Sequence, residues 1–343
     1  MRPVPLVSLC VALLAAALAG PAVAAPPSPI PGVAKPTPIA VWQGRQVWSV
    51  PNATGGYQLV QRIGSGPITA LPVAPRGVPF DVDLGPTSSG GVYAVYSRCA
   101  TEPRWEEGVP SYETGKGCDV YRLDLTTGSE VRFTKVNATD GSEYWPTYWK
   151  GSIGFARAYD SKPAQPYVYV KDVASSKPSV RMTGGGRGIG QSTPLDLELY
   201  GSRLAFGWMY LPTEADRVKY ELRVDTVGGG DIVLDSSYGG LTSIVLGWPS
   251  FENGRVWWVR SCLGDPGGCP AQVRFQQSRY SSPPAISSPF VADSPPYVLS
   301  HERDSGVTYA LTDVNSLYAC QTDPATTPQC TLQALTPSFS VLE

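Results

Sequence analysis

The sequence runs to 343 residues, with 16% charged residues and a formal net charge of −2. No basic stripe is available to neutralise phosphates, so nucleic acid is excluded as the ligand class. The 36 glycines and 34 prolines, with scarcely any sustained helical periodicity, describe a chain of frequent turns and short strands.

The first residues read as an export signal. Arg2 supplies a positive n-region, Leu6 to Leu18 an apolar h-region and Ala22-Val23-Ala24 an A-x-A site, which together predict cleavage after Ala24. The apolar run is shorter than the ~20 residues a membrane span requires, so the mature chain is expected to be secreted, soluble and free of membrane insertion. Cys10 lacks the small residues that precede a lipidated cysteine. Residues 25–37 follow as a proline-rich leader, expected to be extended and semi-rigid with no core of its own. Residues 38–343 are expected to form a single domain.

Within that domain one phrase recurs: β-forming residues, a glycine-centred turn, then an apolar and aromatic strand. It reads VWQGRQVW from Val41, YWKGSIGF from Tyr148, LYGSRLAF from Leu199 and FENGRVWW from Phe251, with looser copies from Asp83 and Val298. The copies lie roughly fifty residues apart, a period expected of propeller blades. Each unit reads as four consecutive short strands that include the phrase, giving units from about Pro38 to Val73, Pro79 to Thr134, Glu143 to Thr183, Thr193 to Asp235, Ile244 to Ser287 and Tyr297 to Leu335. The fold class is therefore all-β, a six-bladed β-propeller of four-stranded antiparallel blades. Apolar residues on both faces of a strand, such as Trp257 and Val259 against Val256 and Trp258, favour blades covered on both sides over sheets with one wet face. A pair of sandwiches is the alternative.

DVYRLDLTTGSEVRFT, Asp119 to Thr134, followed by EYWPTYWKGSIGFA, Glu143 to Ala156, resembles the TolB-type, WD40-like (PD40) propeller repeat. A partial copy is YVYVKDVASSKPSVRMTG, from Tyr167 to Gly184. The likeness is specific over about Asp119 to Phe206; elsewhere only the hairpin matches, and no separate N-terminal α/β domain like that of TolB is expected. The resemblance implies a propeller whose first strand per blade lines a central channel. Ligands are then expected on one loop face or at the channel mouth.

Six cysteines remain after the signal, and their local pairing predicts disulfides Cys99 to Cys118, Cys262 to Cys269 and Cys320 to Cys330. Zinc ligation is the rival, weakened by the absence of any C-x-x-C and by a single histidine. No metal site is expected on this basis.

Channel strands carry Asp81, Asp83, Asp196, Glu198 and Glu302. Converging carboxylates could hold a Ca²⁺, or raise one another's pKa to make an acid; alternatively, a watery channel tolerates polar side chains. Asp81, Asp83, Asp196, Glu198 and His301 are the catalytic candidates, His301 being the single histidine available as a base. Trp105, Tyr112, Tyr144 and Trp145, interleaved with acids, form a candidate ligand platform where rings stack on a sugar. They could equally pack the long Cys99 to Cys118 loop onto the rim. Conventional catalytic motifs such as G-x-S-x-G and S-x-x-K are absent. The leading expectation is thus a monomeric secreted binding module for an extracellular protein or carbohydrate, without a cofactor beyond a candidate Ca²⁺. An exported polysaccharide lyase or glycoside hydrolase using the channel carboxylates is the alternative.

Overall fold

The computed structural model describes residues 30–33, 38–103, 105–106, 109–110, 115–184, 190–212, 217–240, 244–262, 272–279, 287–292, 297–313 and 330–335. Its described residues form six four-stranded antiparallel sheets and one two-stranded ribbon. Blade one comprises Ile39–Trp42, Arg45–Pro51, Tyr57–Ile63 and Thr69–Ala70. Blade two comprises Asp83–Pro86, Val92–Arg98, Asp119–Asp124 and Glu130–Arg132. Blade three comprises Gly141–Trp149, Ser152–Tyr159, Lys162–Asp172 and Val180–Gly184. Blade four comprises Gly190–Tyr200, Arg203–Pro212, Arg217–Thr226 and Asp231–Gly240. Blade five comprises Ile244–Glu252, Arg255–Cys262, Gln272–Arg279 and Ser287–Ala292. In each of these the first strand is innermost. Consecutive inner strands pack on one another, and that of blade six, Tyr297–Asp304, returns to that of blade one, which closes the ring.

The recurring phrase is the inner hairpin of the blade, and its turn chemistry explains it. Gln43-Gly44, Lys150-Gly151, Asn253-Gly254 and Ser305-Gly306 all hold positive φ at both residues (50° and 74° in the first). Two such residues match the right-handed twist of the flanking strands, as in type I′ turns. The turn fixes the register, pairing Trp42 with Arg45, Trp149 with Ser152 and Glu252 with Arg255.

The core sits between neighbouring blades. Leu195 and Leu222 of blade four meet Leu246, Val256 and Trp258 of blade five, while Leu59 and Val47 of blade one meet Leu84 and Tyr96 of blade two. Trp257 and Val259, on the opposite face from Val256 and Trp258, are buried as well. Covering both faces is what a ring of blades does and a sandwich does not.

Blade six differs from its expected form. Its sheet is Tyr297–Asp304, Val307–Asp313 and Cys330–Leu335, and the outermost strand is Ile30–Val33, paired antiparallel with Cys330–Leu335. Part of the segment read as an extended leader outside the core therefore supplies a strand of the last blade, pairing Ile30–Val33 with Cys330–Leu335. Prolines are tolerated on an outer edge, where one side of the strand needs no ladder, and this is why a proline-rich stretch can take the position.

Of the three expected disulfides, Cys99–Cys118 is formed, at the base of the long loop of blade two. Cys269 and Cys320 and the side chain of Cys262 lie outside the described residues, as does the segment read as a signal peptide. No helix among the described residues is long and apolar enough to cross a membrane.

Candidate functional site: an acidic layer between two aromatic closures

Counting back from the hairpin turns places equivalent residues in layers along the channel. The middle layer, two residues before the last inner-strand residue, holds Ala40, Thr147, Glu198, Ser250 and Glu302 of blades one, three, four, five and six. Asp83 takes the blade-two position, as the hydrogen bonds show: Asp83 Oδ2 accepts from Tyr148 N (3.1 Å), Thr147 Oγ1 from Leu199 N (2.9 Å) and Ser250 Oγ from Arg303 N (3.0 Å). Each side-chain oxygen thus anchors the backbone of the next blade. Around the ring, carboxylates from blades two, four and six alternate with hydroxyls from blades three and five.

The three carboxylates converge. One oxygen from each of Asp83, Glu198 and Glu302 lies within 4.8 Å of the others. Asp83 and Glu302 are buried; the Thr147 hydroxyl bonds to Asp83 and the Ser250 hydroxyl donates to Glu302. Glu198 makes no hydrogen bond among the described residues, and no lysine or arginine there ion-pairs with any of the three. Burial pushes the Asp83 carboxyl up to about 7 against the pull of its hydrogen bonds. Glu198 is driven well above the carboxylate range by burial and then by Asp83, Glu302 and Asp196, and Glu302 by burial and then by Asp83 and Asp196 against the pull of its hydrogen bonds.

The layer above contains the inner-strand bulges. Trp145, Asp196 and Trp248 stand two residues before Thr147, Glu198 and Ser250, and all three hold positive φ (49°, 56° and 55°) where the register shifts. Trp145 of blade three meets Trp248 of blade five edge-on, with centroids 6.1 Å apart. A contact between non-adjacent blades reaches across the channel, so these rings narrow it on that side. Asp196 is pushed well up by burial and by the charges of Asp83 and Asp81. Asp81 differs: it accepts from Arg76 Nη1 (2.9 Å), Ser97 N and Oγ (2.9 and 2.7 Å) and Trp145 N (2.9 Å). It is a satisfied, structural carboxylate.

The third layer is the hairpin mouth. Its inner-strand residues are Trp42, Trp149, Tyr200, Glu252 and Asp304. Trp42 of blade one meets Trp149 of blade three at 5.4 Å, and Trp149 meets Tyr200 of blade four at 4.2 Å, which narrows the channel on the hairpin side. Trp42 and Trp149 are half-buried and Tyr200 is 39% exposed, so the rings also face solvent.

The candidates read from the sequence divide accordingly. Asp83, Glu198 and Glu302 come together, Asp196 lies one layer above, and Asp81 is engaged with Arg76. Tyr144 and Trp145 do not form an exposed platform: they are 8% and 5% exposed, packed with Phe206 and Trp208 of blade four. The two-residue strand Trp105–Glu106 pairs with Val109–Pro110, but their side chains and all of Tyr112 lie outside the described residues. His301 stands in the inner strand of blade six opposite Ala310, and its side chain is likewise outside. The mouth residues Trp42, Trp149 and Tyr200 were legible as one feature: the residue preceding the turn is aromatic in VWQG, YWKG and LYGS.

No family model matches the chain, and no curated protein matches it. Among solved structures, it is similar to the β-propeller domain of the Trilobed protease from Pyrococcus furiosus, at 9% identity and TM-score 0.44, covering 81% of this chain and 79% of that one. It is also similar to the six-bladed fucose-recognising lectin of Aleuria aurantia, at 10% identity and TM-score 0.45, covering 89% and 97%. AofleA from Arthrobotrys oligospora gives 8% identity and TM-score 0.47, covering 84% and 83%. At such identities nothing about ligand or activity passes to this chain.

Proposed function

We propose that this propeller is an exported binding module that takes a carbohydrate or protein ligand at a channel mouth and does not turn it over. The observation that carries this reading is the position of the acids in the middle layer, between two aromatic contacts that reach across the channel. Chemistry at the channel centre would need a substrate to pass either the Trp145–Trp248 or the Trp42–Trp149 contact. The test is a turnover panel of polysaccharides and peptides with the wild-type chain. No product is expected; product formation lost in Glu198→Gln with the fold intact would establish the lyase or hydrolase alternative instead. The TolB-type kinship belongs to this proposal too, resting on the repeat residues from Asp119 to Phe206.

The convergence itself favours a second, compatible role for the acids, as ligands of a divalent cation that pins the ring. Calcium binds oxygens at about 2.3 to 2.6 Å, so two ligands on opposite sides of one ion lie roughly 4.6 to 5.2 Å apart, which matches the trio. The Thr147 and Ser250 hydroxyls stand beside it as further oxygens. Calcium should raise the melting temperature at pH 8 relative to a chelator in the wild type and not in Glu198→Gln; an unmoved wild-type melt rejects the ion.

A further inference from the structure

We infer that the hairpin mouth is a carbohydrate site selective for acidic sugars, with Trp42, Trp149 and Tyr200 as its floor and Lys150 as its anion partner. This inference rests on the binding-module reading and narrows it to one face and one ligand class. The rings come from three different blades yet form one continuous chain of contacts, and Tyr200 stacks on towards Phe251 at 5.9 Å. A closure needed only to exclude water would bury its rings, but Tyr200 stays 39% exposed. Flat apolar surface that remains wet is suited to the C–H face of a pyranose, and the Tyr200 hydroxyl can bond at its edge.

Charge decides the kind of sugar. The acids of this mouth are already engaged: Glu252 accepts from Arg303 Nε and Gly306 N, and Asp304 Oδ2 accepts from Gly44 N at 2.8 Å. Lys150 is exposed and forms no ion pair among the described residues. Its ammonium lies 5.4 Å from the centroid of the Trp149 ring, held at the floor's edge by cation–π attraction. Its backbone is fixed too, since Lys150 N donates to Pro86 O at 2.8 Å, and it occupies a positive-φ position that glycine or asparagine would fill with less strain. Apolar faces edged by an exposed ammonium that forms no ion pair among the described residues are complementary to a pyranose bearing a carboxylate.

The experiment is calorimetric binding of oligogalacturonate, alginate oligosaccharides and hyaluronan oligosaccharides to the full mature chain, with a neutral cello-oligosaccharide for comparison. The expected result is binding of at least one acidic oligomer, weakened at least tenfold by Lys150→Gln and by Tyr200→Ala, unchanged in the distant surface variant Lys162→Gln, and no binding of the neutral oligomer. Melting curves for each variant establish that the fold is intact. Binding of acidic sugar that both mouth variants leave unchanged overturns the mouth while the binding-module reading stands. Equal binding of neutral and acidic sugar, insensitive to Lys150→Gln, overturns the charge selection alone. Absence of binding to every oligomer overturns the inference; only turnover in the separate panel overturns the reading beneath it.

Discussion

Two carboxylates on neighbouring layers of the same channel should answer mutation with opposite signs. Asp81 is buried with a full set of partners and an ion pair to Arg76, whose side chain is 2% exposed. Asp81→Asn removes one of the two carboxylates that hold that guanidinium, Glu102 at 2.8 Å being the other, and losing a buried hydrogen bond to a charged group costs about 2 kcal/mol. Glu198 instead has no cationic partner among the described residues, and burial and neighbouring acids hold its carboxyl well above the usual range, so its charged form is disfavoured in the folded state and Glu198→Gln is expected to stabilise the metal-free protein at pH 8 by about 1 kcal/mol. Chemical denaturation in the presence of a chelator measures both, and a destabilised Glu198→Gln contradicts the account. The pH dependence follows from the same groups. Asp83 is raised from 3.8 to about 7, so the folded state holds a proton that the unfolded state has released. Folded stability from this group is full below the unfolded value of 3.8 and declines as pH climbs through about 7. Glu302 and Glu198 extend the decline to higher pH. The melting temperature without divalent cation should therefore fall between pH 4 and pH 8, less steeply in Glu198→Gln.

At the scale of the strand and hairpin, some of the design was readable and some was not, for identifiable reasons. The inner hairpin was readable because an X-Gly turn between β-forming residues is local chemistry, and the register follows from it. The bulges at Trp145, Asp196 and Trp248 were not, because an inserted residue depends on how the strand curves around the channel and leaves no mark in its own sequence. Two-residue alternation accordingly placed Asp81 with Asp83 and Asp196 with Glu198, but the structure groups Asp83 with Glu198 and Glu302 from separate blades. Likewise, aromatic residues beside carboxylates predicted a platform at Tyr144 and Trp145, where burial between blades three and four competes for the same rings. Two substitutions test the element-scale account. Gln43→Asn relieves the left-handed turn position and should add roughly 0.5 kcal/mol. Gly85→Ala should be severe: a Cβ there would sit 1.7 Å from the backbone oxygen of Tyr148 in blade three, which only separation of the two inner strands relieves. Loss of several kcal/mol is expected, and a neutral Gly85→Ala melt would show that these strands are not in contact.

Closure belongs to the whole molecule. The blade count was legible because repetition is a property of the full sequence: five expected units coincide with four-stranded sheets, and the sixth supplies three strands of the last sheet, whose fourth is Ile30–Val33. The fastening was hidden, since a four-residue strand inside a proline-rich stretch carries no periodicity and its partner lies at the other end of the chain. Three pairings hold it: Ile30 with Leu332, Pro31 with Thr331 and Val33 with Cys330. At about 1 kcal/mol per net hydrogen bond, a chain starting at residue 35 should lose roughly 2 to 4 kcal/mol relative to one starting at residue 25. The loss should also be local at first. Blades two to five contain their own four strands, whereas Cys330–Leu335 would become an unpaired edge, which opens by local unfolding and invites pairing with another chain. Amide hydrogen exchange on the truncated protein separates this from general destabilisation. Protection should fall first in Cys330–Leu335 and Val307–Asp313 and persist in Arg203–Pro212 and Ser152–Tyr159. Uniform loss of protection would mean that the ring unfolds as one unit and that the N-terminal strand is no separate latch. Unchanged protection in blade six would remove Ile30–Val33 from the closure altogether.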